Sequence, residues 1–289
     1  MKLVWLSLLP WLAASACGAD APKPANDRPG KLVAPGVLLI GHIANRSVTE
    51  SSGLAASRKY SGVFWTHNDG GGPRKQALYA MTREGRSLAE FRVVGAVLTD
   101  WEDIATDDQG RLFLGDIGNN EARRKQIAVY QMDEPDPKSR GGLARVTRGW
   151  QLRYPGEPFD CESLFVFQTN GYVVSKVFND QHAEVYRFPL TEQPGPLTLE
   201  RVARLKIDSP VTGADISADG RLLALVAKSG AFVYRTEGSL NGIGRVKAFH
   251  TKFRHEHIEG CCLVPEGLLA TAESREIFLF TEEGFRAKP

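Results

Sequence analysis

Short apolar runs, rich in β-branched and aromatic residues, alternate with polar turns along the whole chain, and no sustained helical period appears. The clearest unit is Thr99–Asn120, TDWEDIATDDQGRLFLGDIGNN. It predicts a short strand over Trp101–Thr106, a polar turn ending at Gly110, and a second strand over Arg111–Gly115. A loop of small and polar residues, Asp116–Asn120, follows. Weaker copies recur. The apolar residue after an acidic or small pair falls at Leu54, Ile104, Leu164, Ile216 and Cys261. A glycine opens the second strand of each copy, at Gly62, Gly110, Gly171, Gly220 and Gly267. A third strand carries an aliphatic–aromatic pair: Leu78-Tyr79, Val129-Tyr130, Val185-Tyr186, Val233-Tyr234 and Leu279-Phe280. All three markers share a spacing of about fifty residues.

A period of that length, with room for four short strands per copy, is the signature of a β-propeller. A four-stranded sheet cannot bury both faces alone, so copies must stack radially. The fourth strands are expected near Ser87–Val94, Arg145–Arg153, Leu197–Lys206 and Gly244–Phe253. The last copy runs out of chain after its third strand. The spare run Gly36–Ala44, GVLLIGHIA, can supply the missing strand, which closes the ring and removes an open edge. The expected fold is therefore all-β: a β-propeller of five four-stranded blades closed by the N-terminal strand. Six blades is the alternative, if the long second copy hides another.

Composition is that of an ordinary globular protein, 42% hydrophobic and 24% charged, and the repeat assigns residues 36–289 to one domain. A net charge of +2 gives no reason to expect a nucleic-acid partner. Met1–Ala16 has a positive start at Lys2, an apolar core and a small-residue end, so it reads as a secretory signal peptide too short to span a membrane. Small residues leading into Cys17-Gly18 resemble a bacterial lipobox. That resemblance makes Cys17 the lipidated mature N-terminus, and residues 17–35, rich in Ala, Pro, Lys and Asp, a flexible tether. Ordinary cleavage after Ala16 is the other reading. The expected location is the bacterial envelope, on the periplasmic or outer-membrane side, held to the membrane by a lipid anchor alone. Cys161, Cys261 and Cys262 fall in innermost strands and read as buried free thiols.

In an up-and-down blade, the loops entering strand one and leaving strand two meet at one mouth of the central channel. The unusual polar residues fall there. Entering loops supply Glu50, Asp100 with Glu102, Asp160 with Glu162, Thr212, and His255 with His257 and Glu259. Leaving loops supply His67-Asn68-Asp69, Asp116 with Asn119 and Asn120, Lys176 with Asn179 and Asp180, Lys228 and Glu273. The opposite loops are plain turns. The expected binding set is Glu50, Asp69, Asp100, Glu102, Asp116, Asn119, Asn120, Asp160, Glu162, Lys176 and Glu259. A ring of carboxylates needs a cation to balance it, and calcium suits oxygen ligands of this kind, with Glu102, Asp116 and Glu162 as the expected metal ligands. Zinc spacing is absent. Turn capping is the other reading of Asp116, Asn119 and Asn120, and the histidines read as polar loop residues.

The runs DWEDIA, GDIGNN, DCESL, VTGADIS and IEGC resemble an uncharacterised family of secreted or lipid-anchored bacterial β-propeller proteins, over about Glu50–Phe280. More distantly the layout is similar to phytase-like and gluconolactonase-like propellers. The gluconolactonase likeness implies one divalent metal at the mouth, in roles that Glu50, Asn68, Asn119 and Asp215 would take, without any catalytic assignment. Two functions stand side by side. One is an envelope binding module offering its mouth to a small ligand, a cation or an envelope protein. The other is a divalent-metal-dependent hydrolase of phosphoesters or lactones, since no G-x-S-x-G elbow or serine triad suggests itself.

Overall fold

The computed structural model describes residues 30–72, 75–178, 181–192 and 195–285. The expected signal peptide, Cys17, Asn179 and Asp180 lie outside the described residues. Strand pairing resolves the described chain into five antiparallel four-stranded units. Blade one pairs Ser51–Ala56, Phe64–Asn68, Ala77–Met81 and Ser87–Val94 in order. Blade two pairs Asp103–Thr106, Arg111–Asp116, Gln126–Asp133 and Gly141–Arg153. Blade three is Cys161–Phe167, Asn170–Ser175, Glu184–Pro189 and Glu200–Arg204. Blade four is Val211–Ile216, Leu222–Ala227, Gly230–Arg235 and Phe249–Lys252. Blade five is Ile258–Val264, Gly267–Ala272 and Glu276–Thr281, completed by the N-terminal strand Val37–His42.

That closure is the expected one: Val37 lies opposite Phe280 and His42 opposite Glu276. Residues 17–29 of the expected tether also lie outside the described residues, and Lys31–Ala34, from its far end, forms a further strand outside Val37–His42. The long second copy holds no extra blade. Its length goes into the thirteen-residue strand Gly141–Arg153, which serves two sheets. Gly141–Arg145 runs parallel to Glu90–Val94 of blade one, and Val146–Arg153 pairs antiparallel with blade two's third strand.

Hydrophobic cores lie between successive blades. Trp65, Trp101 and Phe91 fill the space between blades one and two, and Phe113, Trp150 and Phe188 that between two and three. Phe165 and Tyr234 pack between three and four, Phe280 and Val226 between four and five. Leu54, Tyr79 and Leu279 close five onto one. Each such side chain contributes about 1.5–3 kcal/mol by leaving water. At the axis the innermost strands meet backbone to backbone. A Cβ on Gly260 would strike Gly53 and Leu54, and one on Gly213 would strike Glu259 and Cys261.

Two buried carboxylates clasp this axis. Asp103 accepts from the N–H groups of Ile104 (2.8 Å) and Leu164 (2.7 Å), and also from Ala214, so it joins blades two, three and four. Asp215 accepts from Ile216 and from Leu263, both at 2.8 Å, joining four to five. Among the described residues, Cys161, Cys261 and Cys262 are buried and free.

Register corrects one marker. The residues opposite Thr66, Leu114, Val173, Leu225 and Ala270 are Leu54, Ile104, Leu164, Ala214 and Cys261, so the equivalent in copy four is Ala214 and not Ile216.

Candidate functional site

The register breaks just before this marker in blades one, three, four and five. Such a bulge turns a side chain away from the pleat. The residues two positions before the marker are Ser52, Glu102, Glu162, Thr212 and Glu259, and all five are buried. Ser52 and Thr212 spend their hydroxyls on carbonyls of the next blade, Glu102 at 2.5 Å and Ile258 at 2.8 Å. The three glutamates have no such seal.

Glu102 is 3% exposed, and no hydrogen bond reaches its carboxylate from any described residue. Its ligand oxygen and those of Asp69 and Asp100 all lie within 4.8 Å of one another. Gly118 keeps this space open, since a Cβ there would collide with the carboxylates of Glu102 and Asp100. Glu162 is ion-paired through Oε1 with Lys176, while its Oε2 is buried without a partner. Asp160 accepts the Asn119 N–H at 2.7 Å through Oδ1, and its Oδ2 is likewise buried and unpartnered. Glu259, also buried, makes no side-chain hydrogen bond to a described residue.

Electrostatics ties these groups into one cluster. Burial, then Glu162, Asp69, Asp100 and Asp160, push the Glu102 carboxyl well above its usual range. Burial raises Glu162 to about 7 against the pull of Lys176. Burial and then Glu162 raise Glu259 to about 9, with Lys228 opposing. Asp69 and Asp100 are also raised, chiefly by burial, with Lys75 pulling Asp69 down and Asp69 pushing Asp100 up. Lys176 is held above its normal value because Glu162 outweighs the cost of its burial. Three carboxylates this close need protons or positive charge nearby, and Lys75 beside Asp69 and Arg124 beside Asp100 supply part of it.

Several expected site residues do other work. Asp116 Oδ1 accepts the N–H groups of Thr99 (3.0 Å) and Asp100 (2.7 Å), and Oδ2 pairs with Arg124 at 2.9 Å. With both oxygens engaged by its own loop and Arg124, Asp116 shapes the loop that carries Asp100. Asn119 is consumed by Arg124 and Tyr154, and Asn120 is an exposed turn residue. Asn68 repeats the Asp116 device in blade one, accepting from Thr49 and Glu50. Asp215 serves the backbone clasp described above, so the metal roles imagined for Asn68, Asn119 and Asp215 fall away. Glu50 stands at the rim, bound to Lys75 at 2.5 Å. His67, expected in a loop, is fully buried and stacks on Trp101 with ring centroids 4.1 Å apart. Its Nδ1 donates to the Asn68 carbonyl, and burial lowers its pKa to about 3, which keeps it neutral.

Among the described residues, the carboxylates close enough together to hold one ion are Asp69, Asp100 and Glu102, and of the expected ligands Glu102, Asp116 and Glu162 only Glu102 belongs to that group. Hard carboxylate oxygens suit calcium, which takes about six to eight oxygen ligands, so three side chains leave positions for a bound ligand or water. Gly118 was outside the sequence-derived set, and Lys228 was read at the mouth but not among the binding residues. The position following each second strand, read across blades as Asp69, Ile117, Lys176, Lys228 and Glu273, is the signal that identifies Lys228.

No family model matches the chain, and no curated protein matches it. Among solved structures, a catalytically inactive variant of virginiamycin B lyase from Staphylococcus aureus with quinupristin is 10% identical, at a TM-score of 0.43 over 82% of this chain and 67% of that one. A chain of a nidogen/laminin complex is 14% identical, at a TM-score of 0.46 over 82% of this chain and 83% of that one. A chain of a mitotic checkpoint complex is 14% identical, at 0.39 over 90% and 68%. What these neighbours bind or cleave stays with them.

Proposed function

We propose that the protein is a β-propeller binding module whose carboxylate mouth takes a divalent cation, calcium in the first instance, and through its open coordination positions a small ligand or a partner protein. Asp69, Asp100 and Glu102 hold the ion. The observation that carries the reading is the Glu102 carboxylate, buried beside two other carboxylates with no donor of its own. Calcium titration by calorimetry at pH 8 tests it. Wild type should bind one equivalent and release protons, Glu102→Gln should lose at least tenfold in affinity, and Asp160→Asn should lose less. Absence of binding to wild type, or equal binding by Glu102→Gln, contradicts the proposal.

A metal-dependent hydrolase is the second reading. It is favoured by Glu162 and Glu259, carboxyls that hold protons near neutral pH beside the cluster and are suited to general acid–base work. Calcium-dependent turnover of p-nitrophenyl phosphate or a simple lactone, lost in Glu259→Gln, would support it.

We further propose that Met1–Ala16 directs export and that Cys17 carries the lipid, on the sequence pattern alone. Metabolic labelling with a palmitate analogue should mark wild type and not Cys17→Ser, and the variant should leave the membrane fraction. Equal labelling of the variant would end the idea.

A further inference from the structure

The face away from the carboxylate mouth, which the sequence presents as plain turns, carries a groove of about 670 Å³. It lies between the turn after blade one's innermost strand and the connection between the third and outermost strands of blade two. Val63, Leu88 and Pro137 supply apolar surface, and Tyr60 adds an aromatic ring. Lys59, Lys138 and Arg140 also line the groove, and all three are exposed. None of these cations is ion-paired with a described residue.

The walls are built in advance of any ligand. Glu134 of blade two, 5% exposed, reaches across to blade one and accepts from the Ser57 hydroxyl, the Arg58 N–H (3.0 Å) and the Trp65 indole N–H (3.0 Å). Ser57 Oγ in turn accepts the N–H groups of Lys59 (3.2 Å) and Tyr60 (2.8 Å), which folds the turn against the groove. On the other wall the Asp136 carboxylate accepts the Lys138 N–H at 2.9 Å, starting the short helical turn Pro137–Ser139. Next to this wall, the parallel seam of Gly141–Arg145 with Glu90–Val94 locks the two blades together. Arg140 has φ 62°, a left-handed conformation in which glycine would be relaxed. The chain keeps an arginine at a position where its backbone disfavours one, at the rim of the groove.

Glu134 has its oxygens filled and Asp136 is tied to its own turn, so the cationic side chains outnumber the carboxylates free to meet them. A groove of this volume accommodates most of a small organic molecule. We propose that it binds a small organic anion, with a flat apolar or aromatic body against Val63, Leu88 and Tyr60 and a carboxylate, sulfonate or phosphate held by Lys138 and Arg140. This site is independent of the cation site on the opposite face.

Fluorescence titration with 8-anilino-1-naphthalenesulfonate tests it, with the uncharged N-phenyl-1-naphthylamine as comparison. The sulfonate should saturate one site on wild type and bind at least tenfold more tightly than the neutral dye. Arg140→Gly should weaken the sulfonate roughly tenfold while leaving Tm unchanged or raised, because glycine suits that φ. Lys138→Gln should weaken it several-fold, and Glu102→Gln should leave it unchanged. Non-saturable binding, equal affinity for the two dyes, or wild-type affinity in both Arg140→Gly and Lys138→Gln would overturn the proposal.

Discussion

Glu102 and Asp103 are chain neighbours, both carboxylates and both buried, yet their surroundings differ in kind. Asp103 is ringed by backbone N–H groups from three blades, and Glu102 by other carboxylates. Their substitutions should therefore diverge. Asp103→Ala orphans three donors at the axis and should cost about 3 kcal/mol or more, read as a fall in the urea midpoint. Glu102→Gln removes like-charge repulsion and should stabilise the metal-free protein at pH 8. As pH falls and the folded protein takes up a proton on that carboxyl, the gain should shrink. A destabilising Glu102→Gln at pH 8 without metal would assign Glu102 a structural role like that of Asp103. Adjacent strand residues point to opposite sides, and sequence alone does not say which carboxylate faces the backbone and which the mouth. That is why Glu102 was legible as a site residue while Asp103 went unnoticed. It is also why Asp116, with the same chemistry as Asp100, was placed in the site although its oxygens are committed to Arg124 and two N–H groups.

At the scale of elements, the third strands were legible because each packs its aliphatic–aromatic pair against neighbouring blades, all of these side chains buried except the half-buried Tyr130, which forces the same residue types to recur. The outermost strands were less so. They face solvent on one side, so Glu200–Arg204 and Phe249–Lys252 carry little hydrophobic signal. Copy four slipped by two residues because Ile216 mimics the marker where the bulge has placed the smaller Ala214. The closing strand Val37–His42 was readable from its apolar run, and its role makes a firm prediction. Val37 is fully buried in blade five, so Val37→Asp inserts an unpaired charge and should lower Tm by roughly 10 °C. A loss under about 2 °C would mean that the ring is held shut without this strand.

For the whole molecule, the raised carboxyls set the pH dependence. Glu162 at about 7, Glu259 at about 9 and Asp215 at about 6 all hold protons in the fold that the unfolded chain releases near 4 to 4.5. Their stabilising effect is complete below about pH 4 and is lost as pH rises through those values. Metal-free protein should therefore show a falling Tm from about pH 5 to pH 9, and millimolar calcium should blunt the fall most at the alkaline end, by mass action on the folded state. A flat or rising Tm over that range, or equal calcium shifts at pH 5 and pH 9, would contradict this. Anomalous diffraction from crystals grown with manganese, a hard-oxygen stand-in for calcium, tests the proposal that a cation sits at one mouth of the propeller. One strong peak is expected at about 2.1–2.6 Å from oxygens of Asp69, Asp100 and Glu102, absent in Glu102→Gln crystals. No peak at the mouth, or a peak on Asp116 and Glu162 with Glu102 left bare, would contradict it.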